Sequence, residues 1–289
     1  MANPDSVVAR FDTPQNPTLL AEIGGECVFR VTSFVGEIDM GHGSSFIINH
    51  SPSPSSSTTR VWVLTNLHVA QCLMDAYSTY RMVLASGMAE SQLSELEVSL
   101  KIQVKDVQIP ATSMIAPRNE FFKPDFQPHL DFTILGAEIP SELLGRYFPL
   151  ASRGDIKVGT TAYVLGFPAD REISFAGGHV SHVYRSDSGR EKDSKDEQKK
   201  RRWAVQHDIE TNGGNSGGPL ISDTGRVLGI HARGQKWNHA GILGGLNDAI
   251  NIADVYDFIA DPSNLEEISI PLVGARLRQR AIEDAKYGG

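Results

Sequence analysis

The chain has 289 residues, 40% hydrophobic and 21% charged, with a formal net charge of -8. That length allows one large domain or two small ones, and that balance excludes a wholly disordered chain. The acidic excess excludes a general attraction to nucleic acid or to an anionic membrane, and no apolar run reaches the ~20 residues that span a bilayer.

The segment Met1–Pro17 carries one arginine and no apolar run. It lacks the basic-then-apolar pattern of a secretory leader, so a soluble, cytoplasmic protein is expected. The two cysteines, Cys27 and Cys72, suit a reducing compartment. Two buried thiols are expected, with a Cys27–Cys72 bridge as the alternative. No Cys/His spacing suggests a metal, and no cofactor is expected.

Strands are predicted over Glu26–Phe34, Ser45–Ile48, Arg60–Thr65, Met82–Leu84, Val98–Val104, Phe132–Leu135, Ala162–Leu165, His179–Tyr184, Trp203–Ile209 and Val227–His231. Each is rich in β-branched, aliphatic or aromatic residues, and Gly, Pro, Ser and Asn separate them. Many short strands with turn signals predict a barrel or a sandwich. Ser51–Thr59 reads as a low-complexity hairpin tip. Arg185–Arg202 has no apolar residue and is predicted to be a solvated loop, either a tolerated insertion or a regulatory, partner-binding one. Asp248–Ala260 has apolar residues at helical spacing and is stopped by Pro262. A further helix is predicted over Ala275–Lys286 in an appended tail.

Chemistry concentrates in Thr211–Leu220, T-N-G-G-N-S-G-G-P-L. Glycines around a serine let the backbone turn sharply and approach a substrate. Such a turn can aim the N–H groups of Gly214 and Ser216 at one point, forming an oxyanion hole. A serine hydroxyl needs an adjacent base. His68, in L-T-N-L-H-V just after an apolar strand, is the candidate. The base needs a carboxylate to hold its tautomer, and Asp131, at the lip of the apolar D-F-T-I-L, is the candidate. Taken singly, each also reads as a structural residue. Their chain order, His then Asp then Ser, is one known for such triads.

At this point the sequence resembles the trypsin-like peptidases, closest to the disulfide-poor bacterial HtrA-like and glutamyl-endopeptidase branches. The segments that carry the resemblance are G-H-G-S-S-F-I-I (Gly41–Ile48), L-T-N-L-H-V (Leu64–Val69), D-F-T-I-L (Asp131–Leu135), V-L-G-F-P (Val164–Pro168), G-G-N-S-G-G-P-L (Gly213–Leu220) and V-L-G-I-H (Val227–His231). The resemblance implies an all-β protein of two six-stranded antiparallel barrels, with a C-terminal helix and tail. The expected divisions are an extension over 1–25, a first barrel with His68 and Asp131 over 26–140, a second barrel and helix with Ser216 over 141–262, and a tail over 263–289. Digestive members have an aspartate just before the serine that pairs with a newly cut N-terminus. Here that residue is Asn215, so activation by N-terminal cleavage is not expected.

For specificity the resemblance leaves two readings open. Thr211 and His231 fall where relatives bind a Glu or Gln side chain, and Arg233 would favour an acidic one. Glu210, six residues before Ser216, falls where trypsin places its pocket aspartate and would favour Lys or Arg. Ala232, Gly234 and Gly241 complete the expected pocket. The expected function is a serine endopeptidase acting on protein or peptide substrates. The alternatives are a non-catalytic peptide-binding module and an enzyme latent until an activating partner engages it.

Overall fold

The structure, a computed structural model, describes residues 11, 13–52, 57–123, 130–168, 172–184, 204–233 and 247–287. The charged segment Arg185–Arg202, and Gly234 and Gly241 of the expected pocket, lie outside the described residues, as does the side chain of Arg233.

Fourteen strands are found among the described residues: β1 (Val28–Val35), β2 (Ile38–Pro52), β3 (Thr58–Thr65), β4 (Val98–Val104), β5 (Val107–Pro110), β6 (Ser113–Pro117), β7 (Thr133–Pro140), β8 (Thr161–Gly166), β9 (Ser174–Val183), β10 (Ala204–His207), β11 (Pro219–Ser222), β12 (Val227–Arg233), β13 (Asn247–Asn251) and β14 (Leu265–Ile268). The second half of the chain closes into a barrel in the order β10-β13-β12-β11-β8-β9. The first half forms a curled sheet in the order β14-β6-β7-β3-β2-β1-β4-β5. That sheet has eight strands where a six-stranded barrel was expected. The Val104/Val107 hairpin adds β5 at one edge, and β14 returns from the far end of the chain to pair with β6 at the other.

The strand patterns follow from position in the sheets. In β4, Val98, Leu100, Ile102 and Val104 are buried and alternate with half-buried polar residues, as in a strand with one face on the core. β7 is buried along nearly its whole length and is an interior strand, paired with β3 on one side and β6 on the other.

Four stretches differ from the sequence-based expectation. The strand expected from Glu26 begins at Val28, because Pro17–Cys27 is a helix. The Asn16 side chain accepts from the Thr18 N–H at 2.9 Å, Pro17 occupies the first turn, and Leu20, Ile23, Gly24 and Cys27 are buried. Met82–Leu84 belongs to a helix, Ala76–Ala85, whose buried Ala76 and Tyr80 are four residues apart. The helix expected from Asp248 starts at Ile252, since Asn247–Asn251 pairs in the barrel and Asn251 then caps the helix through Ala253 N–H. The expected tail is part of the fold. After β14, the helix Ile270–Tyr287 buries Ile270, Val273, Gly274, Leu277 and Ala281 and packs on β4 and the Ala76–Ala85 helix. A Cβ at Gly274 would come within 2.6 Å of Val98 Cγ2, so the absent side chain permits this close approach.

Cys27 is buried and Cys72 half-buried, and both thiols are free. Among the described residues no helix is long and apolar enough to cross a membrane.

Candidate active site

The end of β3 delivers the first component. Asn66 is extended and begins the short helix Leu67–Gln71, which carries His68. Asp131 sits two residues before β7, the strand paired with β3. Strand pairing thus brings together residues far apart in the chain. Asp131 is 1% exposed and uses both carboxylate oxygens on His68. Oδ1 accepts the His68 backbone N–H at 2.9 Å, and Oδ2 lies 2.8 Å from Nδ1. Asn66 Nδ2 donates to the Asp131 carbonyl at 2.8 Å. A buried carboxylate is costly unless its lone pairs are used, and here both oxygens are. The pairing favours the tautomer with the proton on Nδ1, leaving Nε2 as an acceptor.

The second component is built from two turns. Asn215 N–H donates to the Asn212 carbonyl at 3.2 Å, and Gly218 N–H to the Asn215 carbonyl at 3.0 Å. The third residue of each turn is a glycine with positive φ, +96° at Gly214 and +86° at Gly217. That is the signature of a type II turn, which a residue with a Cβ adopts poorly. Ser216 is the second residue of the later turn, between the two glycines. Its carbonyl accepts the Ser44 N–H at 2.7 Å, joining the serine turn to β2 of the first sheet. Its hydroxyl donates to the Ala232 carbonyl at 3.4 Å. Among the described residues no hydrogen bond joins Ser216 Oγ to His68. Asn215 is buried, and its Oδ1 accepts from Ser174 Oγ at 3.4 Å.

The pocket candidates separate. Glu210 is exposed. Thr211 Oγ1 is buried without a hydrogen-bond partner. His231 is 2% exposed, on β12, and its Nδ1 lies 3.2 Å from Nε2 of the buried His207 on β10. Burial holds both imidazoles well below the ordinary histidine pKa, at about 4 for His207 and about 3 for His231. Both are therefore neutral at neutral pH. The sequence alone does not single out His207, Asn66 or Ser44. A lone histidine in a four-residue strand gives no signal, whereas Asn66 lies inside L-T-N-L-H-V and Ser44 inside G-H-G-S-S-F-I-I. Among the described residues no group of three His, Cys, Asp or Glu side chains is arranged to hold a metal.

A closed barrel beside a curled sheet, with a His–Asp pair on one and a glycine-flanked serine on the other, is the arrangement of the chymotrypsin-like peptidases. The Trypsin-like peptidase domain family matches residues 43–230, and the chain belongs to that family. Protease Do-like 5, chloroplastic, of Arabidopsis thaliana is 31% identical over 128 residues, which are 44% of this chain and 38% of that relative. The chain thus matches well under half the length of that relative. The crystal structure of Deg5 superposes with a TM-score of 0.51 at 20% identity, covering 84% of this chain and 91% of the other. The HtrA-type protease AlgW, solved with a tripeptide, gives a TM-score of 0.53 at 16% identity, covering 85% and 63%. At these identities the two structures speak for the fold.

Proposed function

We propose that the chain is a serine endopeptidase with Ser216 as nucleophile, His68 as general base and Asp131 as the group that orients it. The observation that carries this reading is the two-point seat of His68 on Asp131, which leaves Nε2 free to accept a proton. When a peptide enters the cleft, the Ser216 hydroxyl turns from the Ala232 carbonyl to Nε2. Its oxygen attacks the scissile carbonyl as His68 takes the proton. The N–H groups of Gly214 and Ser216 take the developing oxyanion. The imidazolium then protonates the leaving amine, and water hydrolyses the acyl-enzyme by the same steps.

The same reading favours Glu or Gln before the scissile bond. Thr211 has a buried hydroxyl in want of a partner, and such groups are rare unless a ligand or water satisfies them. His231 lies in the strand that also carries the Ser216 contact, Ala232. Glu210 is exposed, which weighs against its serving as a pocket anion for Lys or Arg. Two free thiols fit a reducing, cytoplasmic-type compartment.

Cleavage of a peptide library by purified protein, with Ser216→Ala as control, tests both parts. Cuts after Glu or Gln that vanish in Ser216→Ala are expected. Binding of peptides without cutting would favour a non-catalytic module. Cuts after Lys or Arg would overturn the specificity.

A further inference from the structure

We propose that Ser44 is the positioning residue for the oxyanion-binding turn, holding the peptide groups on either side of the Ser216 amide. The inference rests on reading Gly214 and Ser216 N–H as the oxyanion donors.

Ser44 is fully buried in β2. Its hydroxyl donates to the Gly214 carbonyl at 2.7 Å and accepts the Phe167 N–H at 3.0 Å. Its backbone N–H donates to the Ser216 carbonyl at 2.7 Å. Its own carbonyl accepts from Thr65 Oγ1 at 2.6 Å, three residues before His68. One residue of the first sheet therefore touches the strand end that carries the base, the loop after β8, and both sides of the nucleophile.

The consequence is clearest peptide by peptide. The 214–215 peptide is held at both ends: Gly214 C=O by Ser44 Oγ, and Asn215 N–H by the Asn212 carbonyl. The 216–217 peptide is also held at both ends: Ser216 C=O by Ser44 N–H, and Gly217 N–H by the His231 carbonyl. Between them lies the 215–216 peptide, which carries the Ser216 N–H. With both neighbours fixed, that amide cannot swing without breaking a buried hydrogen bond. The Gly214 N–H is controlled in the same way. A glycine can leave the positive φ of +96° at no steric cost, so something other than sterics must hold it. The Ser44 hydroxyl on the next carbonyl does so. Because that hydroxyl oxygen accepts a hydrogen bond from Phe167 N–H, its own proton is directed to the Gly214 carbonyl.

The packing leaves no slack. A Cβ at Gly217 would lie 2.1 Å from the Ser44 carbonyl oxygen, and one at Gly166 would lie 2.7 Å from Ser44 Oγ. Glycines at both places let the two halves of the molecule meet at Ser44.

Removing the hydroxyl leaves Gly214 C=O and Phe167 N–H unpaired in a buried place. The donors lose their fixed aim, which weakens binding of the transition state more than of the substrate. The experiment measures kcat and KM on the best library peptide, the Ki of the matching peptide aldehyde, and Tm, for wild type and Ser44→Ala. Active enzyme is counted by titration with a phosphonyl fluoride. For Ser44→Ala, kcat per active site should fall about tenfold to hundredfold, less than the ~10²–10³ that follows loss of a whole donor. KM should stay within about threefold, and the aldehyde, whose adduct carries the oxyanion, should weaken in parallel with kcat. If Ser44→Ala does not fold, Ser44→Cys, close in size but a weak donor, is measured instead with the same expectation. A folded variant with unchanged kcat per titrated site, or with a rise in KM alone, overturns the proposal. If wild type is labelled at Ser216 and active, that failure concerns Ser44 only. If wild type is neither labelled nor active, the catalytic reading and this proposal fall together.

Discussion

His207 and His231 meet inside the second barrel, with 3.2 Å between Nε2 of the first and Nδ1 of the second. Both are buried, and burial is the largest cause of their lowered pKa values; for His231 the neighbouring His207 and His68 add to it. One facing nitrogen donates to the other unless both rings are protonated; what disfavours a charge on either ring is its burial.

Stability should therefore depend on pH. Below the ordinary histidine pKa of 6.5 the unfolded chain takes up protons, while the folded pair stays neutral down to about 4 and about 3. The unfolded state binds more protons in that window, so the stabilisation is complete above 6.5 and is lost as pH falls. Each histidine contributes a slope of up to about 1.4 kcal/mol per pH unit. Thermal melts from about pH 7 to about pH 5 should show a decline that is flatter in a His207→Gln/His231→Gln variant. An equal decline in both would mean that the pair does not titrate as argued.

The triad assignment predicts large kinetic effects. Ser216→Ala or His68→Ala should lower kcat/KM by several orders of magnitude, and Asp131→Asn by about 10⁴, because an asparagine favours the wrong imidazole tautomer. Steady-state kinetics on one fluorogenic peptide suffice. Cleavage by Ser216→Ala at the wild-type rate would require another nucleophile.

Specificity should move with His231 and not with Glu210. A site built to hydrogen-bond its substrate can reject an analogue lacking that group by 10⁴ or more. His231→Ala should abolish the preference for Glu or Gln while Ser216 still reacts with a phosphonyl fluoride. A neutral imidazole suits Gln and a protonated one suits Glu; His231 stays neutral down to about 3, so Gln should be preferred to Glu, with a ratio of kcat/KM that holds from about pH 7 to about pH 5. Loss of all cutting after Lys or Arg in Glu210→Gln would instead support the basic pocket.

The C-terminal helix should stabilise the first sheet. Leu277 is 5% exposed on the face that packs against β4 and the Ala76–Ala85 helix. Leu277→Ala should cost about 2–5 kcal/mol, the range for deleting a buried leucine side chain. Urea unfolding measures it. A change below about 0.5 kcal/mol, the size of surface effects, would mean that the helix is only loosely attached.

The thiols should be unreactive in the native state. Burial pushes the pKa of both Cys27 and Cys72 above the ordinary thiol value, and the thiolate is the reactive form. Iodoacetamide should label Cys27 only after denaturation and the half-buried Cys72 slowly before it. Rapid native labelling of both would contradict the packing around Cys27.

The primary structure by itself determined the local pieces of the candidate site. The spacing G-G-N-S-G-G-P specifies turns that favour glycine, and L-T-N-L-H-V and D-F-T-I-L put a histidine and an aspartate beside strands whose apolar runs demand burial. Those signals are local, so they are readable without coordinates. Tertiary structure decided what depends on contacts between distant segments. It set Ser44 against both sides of Ser216, since a buried serine is recognisable as a clamp only once its four partners are known. It paired His207 with His231 across the closed barrel, where each histidine alone carries no pattern. It also folded the segment after Asn264 back onto the first sheet. The apolar face of Ile270–Tyr287 states that something must cover it, but only the packed chain shows that Val98 and the Ala76–Ala85 helix do.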